Sequence, residues 1–316
     1  MEYNIANIIR GKTKVALGGH IRPDGDCTGA CVGLLLYIKR NFPNIQVDAY
    51  LEDIPKALYY INGVDQVKSV VDENIKYDLF ISLDCGDIDR LGFALPLFNK
   101  AKITFCVDHH ISNVGYADIN FIIPTASSTC ELVYQMIDSK LIDGDVAAAL
   151  YMGITHDTGV FRFSNTSPES MEIAASLLRT GIRGHRIIEK TFYEKTHSQV
   201  RITGKALFDS QLLLDNKCIV SVIRSEDMED FGVGTYELDG ITSQLLLTEG
   251  IDVAIFICQL EKNEYKVSLR SSDKVDVSII ATHFGGGGHK KAAGFSTNAP
   301  SEEAIRLVCN EITKQL

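Results

Sequence analysis

The chain has 316 residues, 45% of them hydrophobic, which is enough for about two domains with cores of their own and excludes a mainly disordered polymer. Its 31 basic and 41 acidic side chains leave a net charge of −10, which argues against an electrostatic grip on long duplex DNA and leaves short anionic substrates open. No apolar run nears the roughly 20 residues that span a bilayer, and residues 1–14 mix charges without an apolar signal segment, so a cytoplasmic protein with no membrane partner is expected.

Residues 14–19 read as a strand, 28–40 as a helix, and 47–51, 78–84 and 103–107 as further strands, an alternation that predicts βαβ units and a parallel sheet. Helical spacing follows at 128–140, 145–155 and 169–180, the last after Pro168, which suits a first helical turn. From 184 to 214 the composition is largely helical and ends in LLLDN, a connector to a second block. There CIVSVI is a strand, 237–247 a helix, and VAIFICQL and EYKVSLR are two strands joined by a turn at Lys262-Asn263. Ala304, Ile305, Val308 and Ile312 form the apolar stripe of a closing helix over 301–315. The eight cysteines show no C-x-x-C pair and sit in runs such as ITFCV, so they read as reduced core residues and not as zinc ligands. The fold class expected is α/β. A parallel, Rossmann-like sheet domain covers 1–185, a helical connector 186–214 and a smaller mixed α/β domain 215–316.

In an open α/β sheet, ligands sit beyond the carboxyl ends of the strands. His20, Asp24 and Asp26 follow the first strand in HIRPDGD, Asp84 and Asp87 follow the third in LDCGD, and Asp108, His109 and His110 follow the fourth. Asp157, in ITHDTG, ends a helix. Carboxylates and imidazoles converging from several strand ends suit Mn2+ or Mg2+ better than a thiophilic metal. Asp24, Asp26, Asp84 and Asp157 together carry a charge of −4, which two divalent ions balance, and a pair of ions is suited to phosphoryl transfer. Each residue alone has a plainer reading, as a helix N-cap, a turn former or a hydrogen-bonded structural histidine. Their joint placement at successive strand ends favours a site.

HIRPDGDCTG, LDCGD, VDHH and THDTG, in this order, resemble the four motifs of the DHH phosphoesterase superfamily. SLRSS and FGGGGHKKAAGF are similar to the nucleotide-recognition segments of the DHH-associated C-terminal domain, so the resemblance covers almost the whole chain. It is closest to the short stand-alone members described as nanoRNases, oligoribonucleases that often also dephosphorylate 3′-phosphoadenosine 5′-phosphate. The resemblance implies that His20, Asp24 and Asp84 hold one Mn2+ and that Asp26, Asp84, His109 and Asp157 hold another, with Asp84 bridging and Mg2+ or Co2+ as substitutes. It implies that His110 faces the scissile phosphate as a catalytic residue, and that Asp108 orients the histidines. It assigns substrate binding to Arg270, Gly286, Gly287, Gly288 and His289, the glycines because they let backbone N–H groups approach an anion closely. Read without it, the glycine run is a flexible loop, Arg270 a surface residue on an edge strand, and Lys290 and Lys291 solvated charge. His156 and His283 are read as structural.

The function this implies is a two-metal phosphodiesterase that hydrolyses very short RNA to nucleoside 5′-monophosphates, with removal of the 3′-phosphate of 3′-phosphoadenosine 5′-phosphate as a companion activity. A cyclic di-AMP or pApA phosphodiesterase is the alternative. A non-catalytic nucleotide- or RNA-binding protein ranks behind both, because every matched ligand position is filled. The partners implied are short RNA and small nucleotides, with a homodimer left open.

Overall fold

LFISL, at 79–83, has no polar face, and all five of its residues are buried in the middle of a sheet covered on both sides. The computed structural model describes residues 3–261, 263–272 and 274–316, and the chain divides into two compact units, Met1–Glu194 and Lys195–Leu316. In the first unit the order is α1 (Ile5–Ile8), β1 (Lys14–Gly18), α2 (Gly25–Asn41), β2 (Gln46–Tyr50), β3 (Leu79–Leu83), α3 (Leu95–Lys100), β4 (Thr104–Asp108) and β5 (Ile119–Ile122). Four helices follow, α4 (Thr129–Met136), α5 (Gly144–Asp157), α6 (Pro168–Leu178) and α7 (Gly184–Ile188).

The five strands are parallel in the order β2-β1-β3-β4-β5, so the winding reverses between β1 and β3, and a crevice opens at their carboxyl ends. Over the sheet, α2 packs on α5 at close range. An added Cβ at Gly29 would fall 2.5 Å from the carbonyl oxygen of Ala149, so only glycine permits this approach. Gly25 lies against His156 while Gly33 lies against Leu150, so the two helices are antiparallel and the first turn of α2 meets the last turn of α5.

In the second unit the order is α8 (His197–Phe208), β6 (Gln211–Leu213), β7 (Cys218–Ile223), α9 (Ser225–Phe231), α10 (Ile241–Leu246), β8 (Val253–Glu261), β9 (Glu264–Ser271), α11 (Val277–His283), β10 (Gly287–His289), β11 (Ala292–Thr297) and α12 (Ser301–Thr313). Its sheet runs β10-β11-β9-β8-β7-β6 and is antiparallel except between β7 and β8. Alternation along the strands gives it two apolar faces. Val253, Ile255, Val267 and Leu269 pack with α11 and α12, whereas Ala254, Phe256 and Cys258 pack with α8 and α10.

Several elements depart from the sequence reading. LLLDN belongs to a hairpin: Gln211–Leu213 pair with β7, and Leu214, Asp215 and Asn216 turn the chain with φ of 53°, 51° and 62°. The helix expected over 237–247 is interrupted by Gly240, whose φ of 91° separates a single turn at Thr235–Leu238 from α10. Half of the glycine run is strand, and Arg270 lies on β9, between β8 and β11, not on an edge. Lys262, half of the expected turn, lies outside the described residues. All eight cysteines are free and seven are buried. Among the described residues no helix is long and apolar enough to cross a membrane.

Candidate metal centre

The crevice is lined from three strand ends and two helix ends. His20, beyond β1, places Nδ1 2.8 Å from the carbonyl of Ile21. Arg90 Nη2, which only donates, stands 3.1 Å from the same nitrogen, and Nε2 faces Asp84 Oδ2 at 3.5 Å and Asp24 Oδ1 at 4.0 Å. His109, beyond β4, has Nδ1 3.3 Å from the Ala126 carbonyl. Its Nε2 faces Asp157 Oδ2 at 3.0 Å, Asp84 Oδ1 at 3.6 Å and Asp26 Oδ2 at 3.9 Å.

Asp84 therefore stands between the two histidines and turns one oxygen to each. It follows β3 directly and has a φ of 55°, a left-handed conformation that costs a side-chain-bearing residue about 1–2 kcal/mol. Its N–H donates to the Val107 carbonyl at 3.0 Å, and its Oδ1 accepts from the Thr129 hydroxyl at 2.9 Å, so the sheet and α4 together hold it there.

Asp24 is an N-cap, as the plainer reading has it. Its Oδ1 accepts from the backbone of Asp26 and Cys27 at 2.9 and 3.1 Å, and it belongs to the cluster as well. Asp26 is fully buried and docks α4, accepting from the N–H groups of Thr129 at 2.6 Å and Cys130 at 2.9 Å. Asp108, also fully buried, holds His110 and not His109: its Oδ1 is 2.7 Å from His110 Nδ1, and its Oδ2 accepts from Asn113 Nδ2 at 2.7 Å.

So many carboxylates in so little water draw protons. Burial, with Asp84 and Asp157 nearby, pushes Asp26 well above the usual carboxylate range. Burial also opposes charge on the histidines, but Cys27 and Asp84 carry His20 up to about 12, and Asp157, Asp26 and Asp84 carry His109 up to about 10. Burial would raise Asp84 and Asp157 too, yet His20 beside the first and His109 and His156 beside the second bring both down. Imidazolium thus supplies the positive charge this cluster needs. Divalent cations fit the same donors, imidazole and carboxylate, and would displace those protons on binding.

The structure brings the expected residues into one cluster of overlapping groups, His20 with Cys27 and Asp84, Asp84 with His109 and His110, Asp24 with His156 and Asp157, and Asp26 with His109 and Asp157. Four neighbours were not read as part of it. Thr129 and Asn113 orient Asp84 and Asp108. One donor atom of Cys27 lies within 4.8 Å of those of His20 and Asp84, and one of His156 within 4.8 Å of those of Asp24 and Asp157. The signal for Cys27 was its place in the turn that Asp24 caps. For His156 it was adjacency to Asp157.

The substrate-binding candidates all lie in the second unit. His289 pairs with Ala292, and Ala292 with Arg270, so the two side chains share a face two strands apart, about 10 Å, with only a methyl between them. Arg270 is half-buried and lines a pocket with Lys266, Ser268, Asp239, Thr242 and Ser243. An added Cβ at Gly288 would fall 2.5 Å from the Ala292 carbonyl oxygen, and one at Gly286 2.5 Å from Phe295 Cβ, so there the need for glycine comes from β11. Gly287 has open space.

The family described as DHH family, N-terminal domain, matches residues 14–154, and the DHHA1 domain matches 215–316. The bifunctional oligoribonuclease and PAP phosphatase NrnA of Thermus thermophilus is 26% identical over 308 residues, 95% of this chain and 90% of the relative. A protein of the same name from Bacillus subtilis is 25% identical over 94% of this chain and 93% of its own. An exopolyphosphatase-related protein from Bacteroides fragilis, whose crystal structure is solved, shares the fold with a TM-score of 0.90 over 98% of this chain and 94% of that one, at 22% identity.

Proposed function

Because the chain belongs to the DHH family and carries a DHHA1 domain, we propose that it is a two-metal phosphodiesterase that hydrolyses very short RNA to nucleoside 5′-monophosphates and also removes the 3′-phosphate of 3′-phosphoadenosine 5′-phosphate. The observation that carries this reading is Asp84, held in a left-handed conformation with one oxygen toward His20 and the other toward His109, as a carboxylate shared by two cations must be. The printed names of the relatives, which match over nine-tenths of their length, support the substrate class. His20, Asp24 and Asp84 would hold one ion, and Asp26, Asp84, His109 and Asp157 the other. Imidazole in both sets favours Mn2+ over Mg2+.

Such a pair of ions, when bound, activates water and neutralises charge on the phosphoryl oxygens. The protein's own groups do the rest. Asp108 fixes the ring of His110 through Nδ1, so that Nε2 can donate to a phosphate oxygen as its charge grows. Arg270 and His289 bind the nucleotide, the guanidinium by pairing with phosphate or stacking on a base. With a net charge of −10, the chain offers no extended basic track, which favours substrates of two to about five nucleotides.

The test is a set of initial rates, with Mn2+, on dinucleotide RNA, a long RNA strand, pApA, cyclic di-AMP and 3′-phosphoadenosine 5′-phosphate at equal molar concentrations. The dinucleotide and 3′-phosphoadenosine 5′-phosphate should be turned over and the long strand much more slowly. Cyclic di-AMP as the fastest substrate would move the function to cyclic dinucleotides. Full turnover in excess EDTA would rule out the two-metal reading.

A further inference from the structure

His156 lies inside the THDTG motif and has no part in either proposed cation set. Its ring lies over the first turn of α2, where an added Cβ at Gly25 would fall 2.5 Å from its Cγ, and faces Phe192 with 5.8 Å between ring centroids at 32°. Held between them, its Nδ1 is shielded from solvent and has no hydrogen-bond partner among the described residues. Buried polar atoms are seldom left so, and a bound ion is one of the accounts such an atom calls for. The nearby Asp157 Oδ1 is 3.8 Å away, too far for a hydrogen bond.

That spacing is close to others in the cluster. The His20–Asp84, His109–Asp84 and His109–Asp26 pairs, all within the two proposed cation sets, stand at 3.5, 3.6 and 3.9 Å, and His109–Asp157 is shorter at 3.0 Å. Donor atoms of Asp24, His156 and Asp157 all lie within 4.8 Å of one another. Both carboxylates have an oxygen to give: Asp157 turns Oδ2 to His109 and Oδ1 to His156, while Asp24 uses Oδ1 to cap α2 and keeps Oδ2.

We propose that Asp24, His156 and Asp157 form a third divalent-cation position, flanking the two ions of the proposed active site. The inference rests on the two-metal reading, because Asp24 and Asp157 are each shared with one of those ions. Two ions already balance the four shared carboxylates, so the third ion needs negative charge from elsewhere. A phosphate in the site supplies it, and occupancy is therefore coupled to phosphate.

The experiment uses the full chain, stripped with chelator and titrated with Mn2+ while free Mn2+ is read from its paramagnetic resonance signal, with and without inorganic phosphate. Its partner is His156→Phe, which keeps a ring against Gly25 and Phe192 but has no nitrogen. The wild type should bind two equivalents tightly and a third at least about tenfold more weakly, since its carboxylates are shared, with phosphate tightening the third alone. The variant should keep the first two at wild-type affinity and lose the third. Saturation of the wild type at two, or retention of all three by the variant, overturns the third position. So does loss of a tight equivalent in the variant, which would assign His156 to one of the first two ions. Fewer than two tight equivalents in the wild type would instead overturn the two-metal reading beneath it. If the phenylalanine variant melts at a lower temperature than the wild type, His156→Gln is titrated in its place, with the same outcomes.

Discussion

The two units put polar chemistry in different parts of a sheet. In the first, helices cover both faces of a parallel sheet, LFISL has no exposed side, and every ionisable group of the site is displaced to strand ends and helix ends. In the second, the sheet is mostly antiparallel and its strands alternate, so Lys266, Ser268 and Arg270 come to one face of β9 while Val267 and Leu269 enter the core behind them. A site of the first kind needs several distant segments at once and has little tolerance. One of the second kind is spread along a single strand and should fail by degrees.

The sharpest way to break this contrast is Asp84→Ala, which removes a carboxylate from both cation sets. It should lower dinucleotide hydrolysis by more than about 100-fold, the upper end of what an outer partner of a metal site costs, and abolish two-metal occupancy in metal analysis of the purified protein. Wild-type metal content would contradict the shared role. Asp108→Asn should cost about 10- to 100-fold while the metal content stays intact, because Asp108 touches His110 and Asn113. Metal loss there would place Asp108 among the ligands.

In the second unit the effect should be smaller and selective. Arg270→Ala should slow dinucleotide cleavage by about 10-fold, the worth of one charge-assisted hydrogen bond, and leave bis-nitrophenyl phosphate untouched, since that substrate lacks a base and a second phosphate. Equal losses on both substrates would mean that Arg270 does not read the nucleotide. Gly29→Ala should change rates least. It forces α2 away from the Ala149 carbonyl and should lower stability by about 1–3 kcal/mol in urea unfolding, with near-normal turnover per folded molecule.

How much could be read in advance follows from the range of the interactions. Strands β1 to β4 and the groups at their ends were legible, because apolar runs and the polar residues that stop them are local. β5 was not, since INFI is only partly buried at a sheet edge and its pattern is weak. Nor was β6, whose leucines pass for the end of a helix until the three left-handed residues after them are seen. Among the site residues, the part of Asp26 in docking α4 depends on partners 103 and 104 positions away, and nothing near Asp26 announces them. His156 was missed for the opposite reason. It stands beside Asp157, but which way each side chain leaves the last turn of α5 is settled only by the antiparallel helix across from it.

That antiparallel pairing also gives the crevice an electrical polarity. The first turn of α2 carries the partial positive charge of its N–H groups, and the last turn of α5 the partial negative charge of its carbonyls, so the two helix dipoles oppose each other along their length and meet head to tail at the site. The backbone alone therefore sets a field that changes sign across the crevice, drawing cations toward the α5 side and the anionic part of a bound molecule toward α2. A phosphodiester is not symmetric, with a leaving group on one side of phosphorus and an open face on the other, and such a field favours one orientation of it by about 0.3–1 kcal/mol.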